Sequence, residues 1–280
     1  MSYKSILVHV DDRRRSQARV DVAVKLASEF EAHLTALGLV QPLRIPATAM
    51  TLLGPEIQAQ QVQMARAQAD SALDLFKERA RLAGWGSVET VASAGDAFSA
   101  LGLHARYNDL VVIGQHDPDE DYTQWPDAAA FPELVAMGVG RPVLVVPYAG
   151  NFSKVGEHVL VAWDASREAT RALTDALPLL KRARRVTVMA VNPEKAHRHG
   201  AEPGADIALF LARHGVKVEA TAQSSGGLDV GNFLLSRIAD LDVDLLVMGA
   251  YGHARLRELM LGGVTQTILS SMTVPVLFSH

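Results

Sequence analysis

The chain repeats itself, and the repeat restricts its fold more than any other feature. Ser5-Ile-Leu-Val-His-Val-Asp11 lies over His158-Val-Leu-Val-Ala-Trp-Asp164, and Leu34-Thr-Ala-Leu-Gly-Leu39 over Val186-Thr-Val-Met-Ala-Val191. Asp109-Leu-Val-Val-Ile-Gly114 lies over Asp244-Leu-Leu-Val-Met-Gly249, and Arg141-Pro-Val-Leu-Val-Val146 over Val274-Pro-Val-Leu-Phe278. Four matches in one order imply two copies of one structural unit. The offset falls from 153 between Asp11 and Asp164 to 133 between Pro142 and Pro275, so the first copy carries about 20 extra residues in its middle.

Each copy alternates short apolar runs with helical patterns. Runs such as Leu110-Val-Val-Ile113 suit strands buried on both faces of a parallel sheet. Strands are expected near 4–10, 34–39, 87–92, 109–114 and 142–146, then near 158–163, 185–191, 216–223, 243–249 and 274–278. Helices are expected near 16–31, 55–83, 97–107 and 128–138, then near 167–181, 204–214, 229–240 and 263–272. Pro55 suits a first helical turn and Gly84 the residue just past an end, so a long helix over 55–83 accounts for much of the extra length. Strict alternation predicts an α/β fold of two tandem five-stranded parallel-sheet, Rossmann-like domains with helices on both faces. The Gly- and Pro-bearing stretch 147–156 is the linker, giving units of 1–148 and 156–280.

The richest local signal is Val247-Met-Gly-Ala-Tyr-Gly-His-Ala-Arg-Leu-Arg-Glu-Leu-Met-Leu-Gly-Gly-Val-Thr265. It joins an expected strand to an expected helix start. A Gly-rich turn there can bring bare N–H groups up to an anion, and the helix dipole adds positive potential. Net charge is −4, which argues against a general nucleic-acid binder. The absence of cysteine excludes disulfides, thiol catalysis and cysteine-bound metal. No apolar run approaches the ~18 residues that span a bilayer. A soluble, cytoplasmic protein is expected.

Gly249-x2-Gly252-x9-Gly262, followed by Gly263-Val-Thr265, resembles the nucleotide signature of the universal stress protein family. The flanking Leu261-Gly-Gly-Val-Thr-Gln-Thr-Ile-Leu269, the closing Val274-Pro-Val-Leu277 and Asp164 after the first strand are similar too, and the resemblance covers both copies. It implies adenine nucleotide alpha hydrolase-like domains that bind ATP or ADP, with Mg as an accompanying ion. Trp163 and Asp164 would then lie beside ribose or adenine. Val191 would offer backbone bonds to adenine, with Met248 nearby, and Gly249, Gly252, Gly262, Gly263, Val264 and Thr265 would hold phosphate. The Thr265 hydroxyl would donate to phosphate or cap the helix. One position departs from the pattern: Gly263 stands where the family has Ser or Thr, so a hydroxyl contact is lost.

The first copy keeps Gly114 but follows it with Gln115-His-Asp-Pro-Asp-Glu-Asp121, a solvated acidic loop that opposes phosphate. Asp11 and Asp12 are expected to start a helix, and Asp164 to cap the next one. No Gly-x-Ser-x-Gly, His-Glu-x-x-His or Walker pattern is present, so no catalytic residue or metal site is assigned. Function then divides into a ligand-responsive nucleotide binder, a scaffold without nucleotide, and a slow ATPase. The apolar edges Val143–Val146 and Val276–Phe278 are expected to pair the copies with each other, and further homodimerisation stays open.

Overall fold

The computed structural model describes residues 2–42, 54–120, 125, 127–195, 202–251 and 263–280. The first half runs β1 (Ser5–Val10), α1 (Ser16–Phe30), β2 (His33–Val40), α2 (Pro55–Leu82), β3 (Val88–Ala94), α3 (Ala97–Ala105), β4 (Leu110–Gly114), α4 (Phe131–Gly138) and β5 (Val143–Val146). The second runs β6 (His158–Ala162), α5 (Arg167–Asp175), α6 (Leu177–Arg182), β7 (Arg185–Val191), α7 (Ala205–Arg213), β8 (Val218–Gln223), α8 (Val230–Asp240), β9 (Leu245–Gly249), α9 (Val264–Ser271) and β10 (Val276–Ser279).

The two sets of five strands join into one ten-stranded sheet of order β3-β2-β1-β4-β5-β10-β9-β6-β7-β8. Within each half the strands are parallel, and β5 meets β10 antiparallel, with Leu144 opposite Leu277 and Val143 opposite Phe278. The copies thus pair through the two apolar edges singled out in the sequence. Because that one pairing is antiparallel, the strands of the two halves run in opposite directions. Their carboxyl ends therefore lie on opposite margins of the sheet.

Successive strand residues point to opposite faces, so the sheet feeds two apolar layers. Ile6, Val8, Val159, Val161 and Leu277 face α1, α2 and α5–α7. Leu7, Leu160, Leu246, Val276 and Phe278 face α3, α4, α8 and α9. Each layer continues across the seam and contains residues of both halves.

Asp109 and Asp244 play the same part in the two copies. Asp109 accepts the N–H groups of Lys4 and Ser5 at 2.7 and 3.1 Å. Asp244 accepts those of Gly156, Glu157 and His158 at 2.7–3.2 Å. Each carboxylate satisfies the backbone donors that open its half's first strand.

Two expectations need correction. The single helix expected over 167–181 is two, α5 and α6, because Pro178 has no N–H and its ring clashes with the carbonyl four residues back. Asp11 and Asp12 do not start α1: its N-cap is Arg15, without a side-chain cap. Asp11 instead accepts from the Arg13 N–H at 3.2 Å and from Arg19 Nη2 at 3.1 Å.

Candidate functional site

In the second half the strand order reverses between β6 and β9, which places a crevice beyond their carboxyl ends. Residues leaving β6, β7 and β9 meet there. Three of the five non-glycine residues with positive φ follow these strands: Ala165 (φ 56°), Asn192 (φ 49°) and Tyr251 (φ 56°). Left-handed backbone costs an L-residue roughly 1–2 kcal/mol, and such strain gathers at functional sites. Among the described residues, the equivalent exits from β1, β2 and β4 in the first half have none.

Each strained turn is held by side-chain bonds. Asp164, exposed, accepts the Ser166 N–H at 3.0 Å, and Ser166 Oγ accepts the Ala169 N–H at 3.1 Å to cap α5. The capping role expected of Asp164 therefore belongs to Ser166, and Asp164 shapes the turn before it. Asn192 Oδ1 accepts the Ser225 N–H at 2.9 Å, and its Nδ2 donates to Ser225 Oγ at 3.0 Å. Ser225 Oγ in turn donates to the Leu228 carbonyl at 2.8 Å. This buried network ties the loop after β8 to the exit from β7.

Opposite them stands the start of α9. Its N-cap, Gly263, is exposed and extended (φ −150°), with no side-chain cap and no atom within 4 Å of where a Cβ would stand. The first-turn N–H groups of an uncapped helix lack intrahelical partners. Thr265 is buried, and its Oγ1 accepts the Tyr251 N–H at 3.4 Å. Its hydroxyl thus braces the turn out of β9 rather than capping α9.

The remaining named residues separate. Gly249 leaves room for protein: a Cβ there would lie 2.6 Å from the Ala169 nitrogen and the Glu168 carbonyl carbon, so α5 rests on bare backbone. Met248 is buried in the layer that holds α9, and Val191 is half-buried against the same layer. Trp163 packs into the opposite layer, away from α9, and its backbone N–H donates to the Met189 carbonyl at 2.9 Å. Val264 is half-buried at the α9 start. Gly252 and Gly262 lie outside the described residues.

The first half has filled the corresponding place. A Cβ on Gly114 would stand 2.5 Å from Arg19 Nη1, so this guanidinium covers the strand end. Arg19 pairs with Asp11 and donates to Ser16 Oγ at 2.9 Å. Burial alone would raise the Asp11 carboxyl, but Arg19, helped by His9 and Arg13, holds it below the usual carboxylate range. Asp117, expected in a solvated loop, is buried: it accepts from Arg15 Nε at 3.4 Å and from the Asp119 N–H at 3.1 Å. The helix start is closed as well. Pro132 has no N–H to offer, and Phe131 packs edge-on against Trp125 with centroids 4.7 Å apart. Nothing in the sequence pattern set Arg19 apart from other helical arginines; only its place eight residues after Asp11 hinted at a pair.

A doubled parallel-sheet protein whose two strand-end margins differ, with a guanidinium covering the end of β4 in the first half, is the class defined by these features. The model of the universal stress protein family matches residues 2–121 and 156–280. The chain belongs to the universal stress protein family, in tandem form. A universal stress protein of Synechocystis sp. is 24% identical over 174 residues, spanning 60% of this chain and 57% of that relative's length. A universal stress protein from Archaeoglobus fulgidus DSM 4304 shares the fold with TM-score 0.74 at 16% identity, covering 98% of this chain and 95% of the other. A protein of unknown function from Pseudomonas aeruginosa PAO1 matches with TM-score 0.63 at 17% identity, over 99% and 92% of the two chains.

Proposed function

We propose that the second half, 156–280, binds an adenine nucleotide, ATP or ADP, and that occupancy alters how the protein meets its partners. The first half, 1–148, serves as a degenerate structural unit in this reading. One observation carries it: three non-glycine residues are held in left-handed turns around an exposed, uncapped helix start, in the second half and not at the matching exits of the first. Strain of that kind persists only where the surroundings impose it. The α9 N–H groups suit phosphate, since a helix start favours negative charge. Asp164, exposed across the crevice, suits ribose hydroxyls. Any accompanying Mg would be held chiefly by the phosphates themselves. No described helix is long and apolar enough to cross a membrane; a cytoplasmic setting belongs to the same proposal.

Calorimetric titration with ATP and ADP tests the reading, with Gly263→Asp as the control variant. Asp fits the open space and is a good N-cap, so the variant folds while placing a carboxylate where phosphate would lie. Binding by the native chain and none by the variant is expected. A folded native chain that gives no heat at millimolar nucleotide favours the scaffold instead, a reading to which the missing hydroxyl at Gly263 lends support.

A further inference from the structure

The extra residues of the first half build something the second half lacks. α2 has 28 residues, whereas α7, its counterpart, has nine. The later turns of α2 pack on the sheet through Ala72, Leu73, Phe76 and Ala80. Its earlier turns run past the carboxyl ends of β1 and β2 and wall a cavity of about 340 Å³. That volume lies within the ~300–1,000 Å³ range of small-molecule sites.

Ala65, Gln68 and Ala69 of α2 form one side of the cavity, and Leu39, His9 and Trp125 face them. On the aromatic side, Trp125 stands edge-on to His9 at 6.0 Å and to Phe131 at 4.7 Å. The His9 ring is buried, and its imidazole falls to about 3 through burial and the Arg19 and Arg13 cations, against the pull of Asp11. Burial thus favours the uncharged ring on this wall.

The charges at the rim cancel. Arg13 and Arg14 are matched in number by Asp12 and Glu120 on the lining, and Asp11 is already paired with Arg19; the Arg13 guanidinium lies over the Trp125 ring, 5.8 Å from its centroid. A polyanion finds no room beside the cavity, because the adjoining space under Arg19 and Asp117 is only about 30 Å³. The helix start that could receive phosphate is closed by Phe131 and Pro132.

From this geometry we infer that the first-half cavity is a second ligand site, for an uncharged, flat ring compound without phosphate. It differs in chemical class from the nucleotide proposed for the second half and does not depend on that reading.

The test uses the full chain, with indole and coumarin as probes, followed by the indole N–H signals of the three tryptophans in 1H–15N spectra. Trp125→Phe assigns the Trp125 signal. A saturable shift of Trp125 with either probe is expected, with Trp85 and Trp163 unmoved. Gln68, exposed at the cavity wall, is changed to Phe to fill the space, and the shift is expected to be lost while the Trp85 signal stays in place. Gln68→Leu gives the same reading if the larger ring unfolds the chain. No saturable Trp125 shift up to probe solubility overturns the inference, as does a shift that survives both Gln68 variants. ATP moving Trp125 as strongly as the probes overturns it too, whereas ATP acting on neither Trp125 nor any second-half signal counts only against the nucleotide reading.

Discussion

At the residue scale, Gly263 and His9 show how a single side chain sets a property. Ser at 263 meets open space and restores the hydroxyl of the family pattern. As an N-cap it should outdo Gly by a few tenths of a kcal/mol, and a hydrogen bond to a charged phosphate contributes roughly 1.5–3 kcal/mol. Gly263→Ser is therefore expected to raise the urea midpoint slightly and to tighten ATP binding about tenfold or more in calorimetry. His9 predicts a pH effect. In the folded chain it titrates at about 3 rather than 6.5, so the unfolded chain binds the extra proton between those values. Stability present above pH 6.5 is lost as pH falls toward 3. His9→Asn should flatten that slope relative to the native chain in urea titrations from about pH 7 to about pH 4. An unchanged slope would show that His9 is not held neutral.

At the scale of elements, the strand-to-helix junctions carry the specific information. Gly249→Ala would drive a methyl to 2.6 Å from the α5 backbone. Overpacking of that kind costs about 1–3 kcal/mol, so the loss should appear in the ligand-free protein, by urea unfolding. If stability is unchanged and only nucleotide binding falls, Gly249 serves the ligand rather than the packing. Ala165→Gly tests the opposite case. It removes left-handed strain of roughly 1–2 kcal/mol and loosens the unfolded chain by ~0.4–1 kcal/mol, so a net gain of about 0.5–1 kcal/mol is expected. These junctions were also where sequence reasoning fell short. Strand and helix positions followed from apolar runs and caps, and even the 28-residue α2 was visible from Pro55 and Gly84. The contents of the turns were not. Asp164 and Ser166 are both good caps, and only geometry shows which reaches the Ala169 N–H. Thr265 sits in a motif associated with phosphate, yet its burial turns the hydroxyl to Tyr251. Trp163 adjoins Asp164 in the chain, but alternation along the strand sends it to the opposite layer. The Asn192–Ser225 network joins residues 33 positions apart, beyond the reach of local pattern.

At the scale of the whole molecule, the repeat made the architecture legible, because two copies with matching apolar last strands have an obvious way to meet. The filling of the first crevice was only half legible: the acidic run announced a hostile site for phosphate, but Arg19 and the buried Asp117 needed coordinates. Since both apolar layers mix residues of the two halves, unfolding should be cooperative across the chain. Leu277→Ala, at the fully buried β5–β10 seam, is expected to cost about 2–5 kcal/mol. Single-tryptophan versions retaining Trp85 in the first half or Trp163 in the second should report the same lowered midpoint. Separate midpoints would mean that the halves melt independently.

The antiparallel seam between β5 and β10 has one more consequence. It turns the duplicated units back to back, so the strand ends of one and the walled hollow of the other look out on opposite horizons. Ligands at the two proposed sites would then approach from opposite directions and sense one another only through the strands they share.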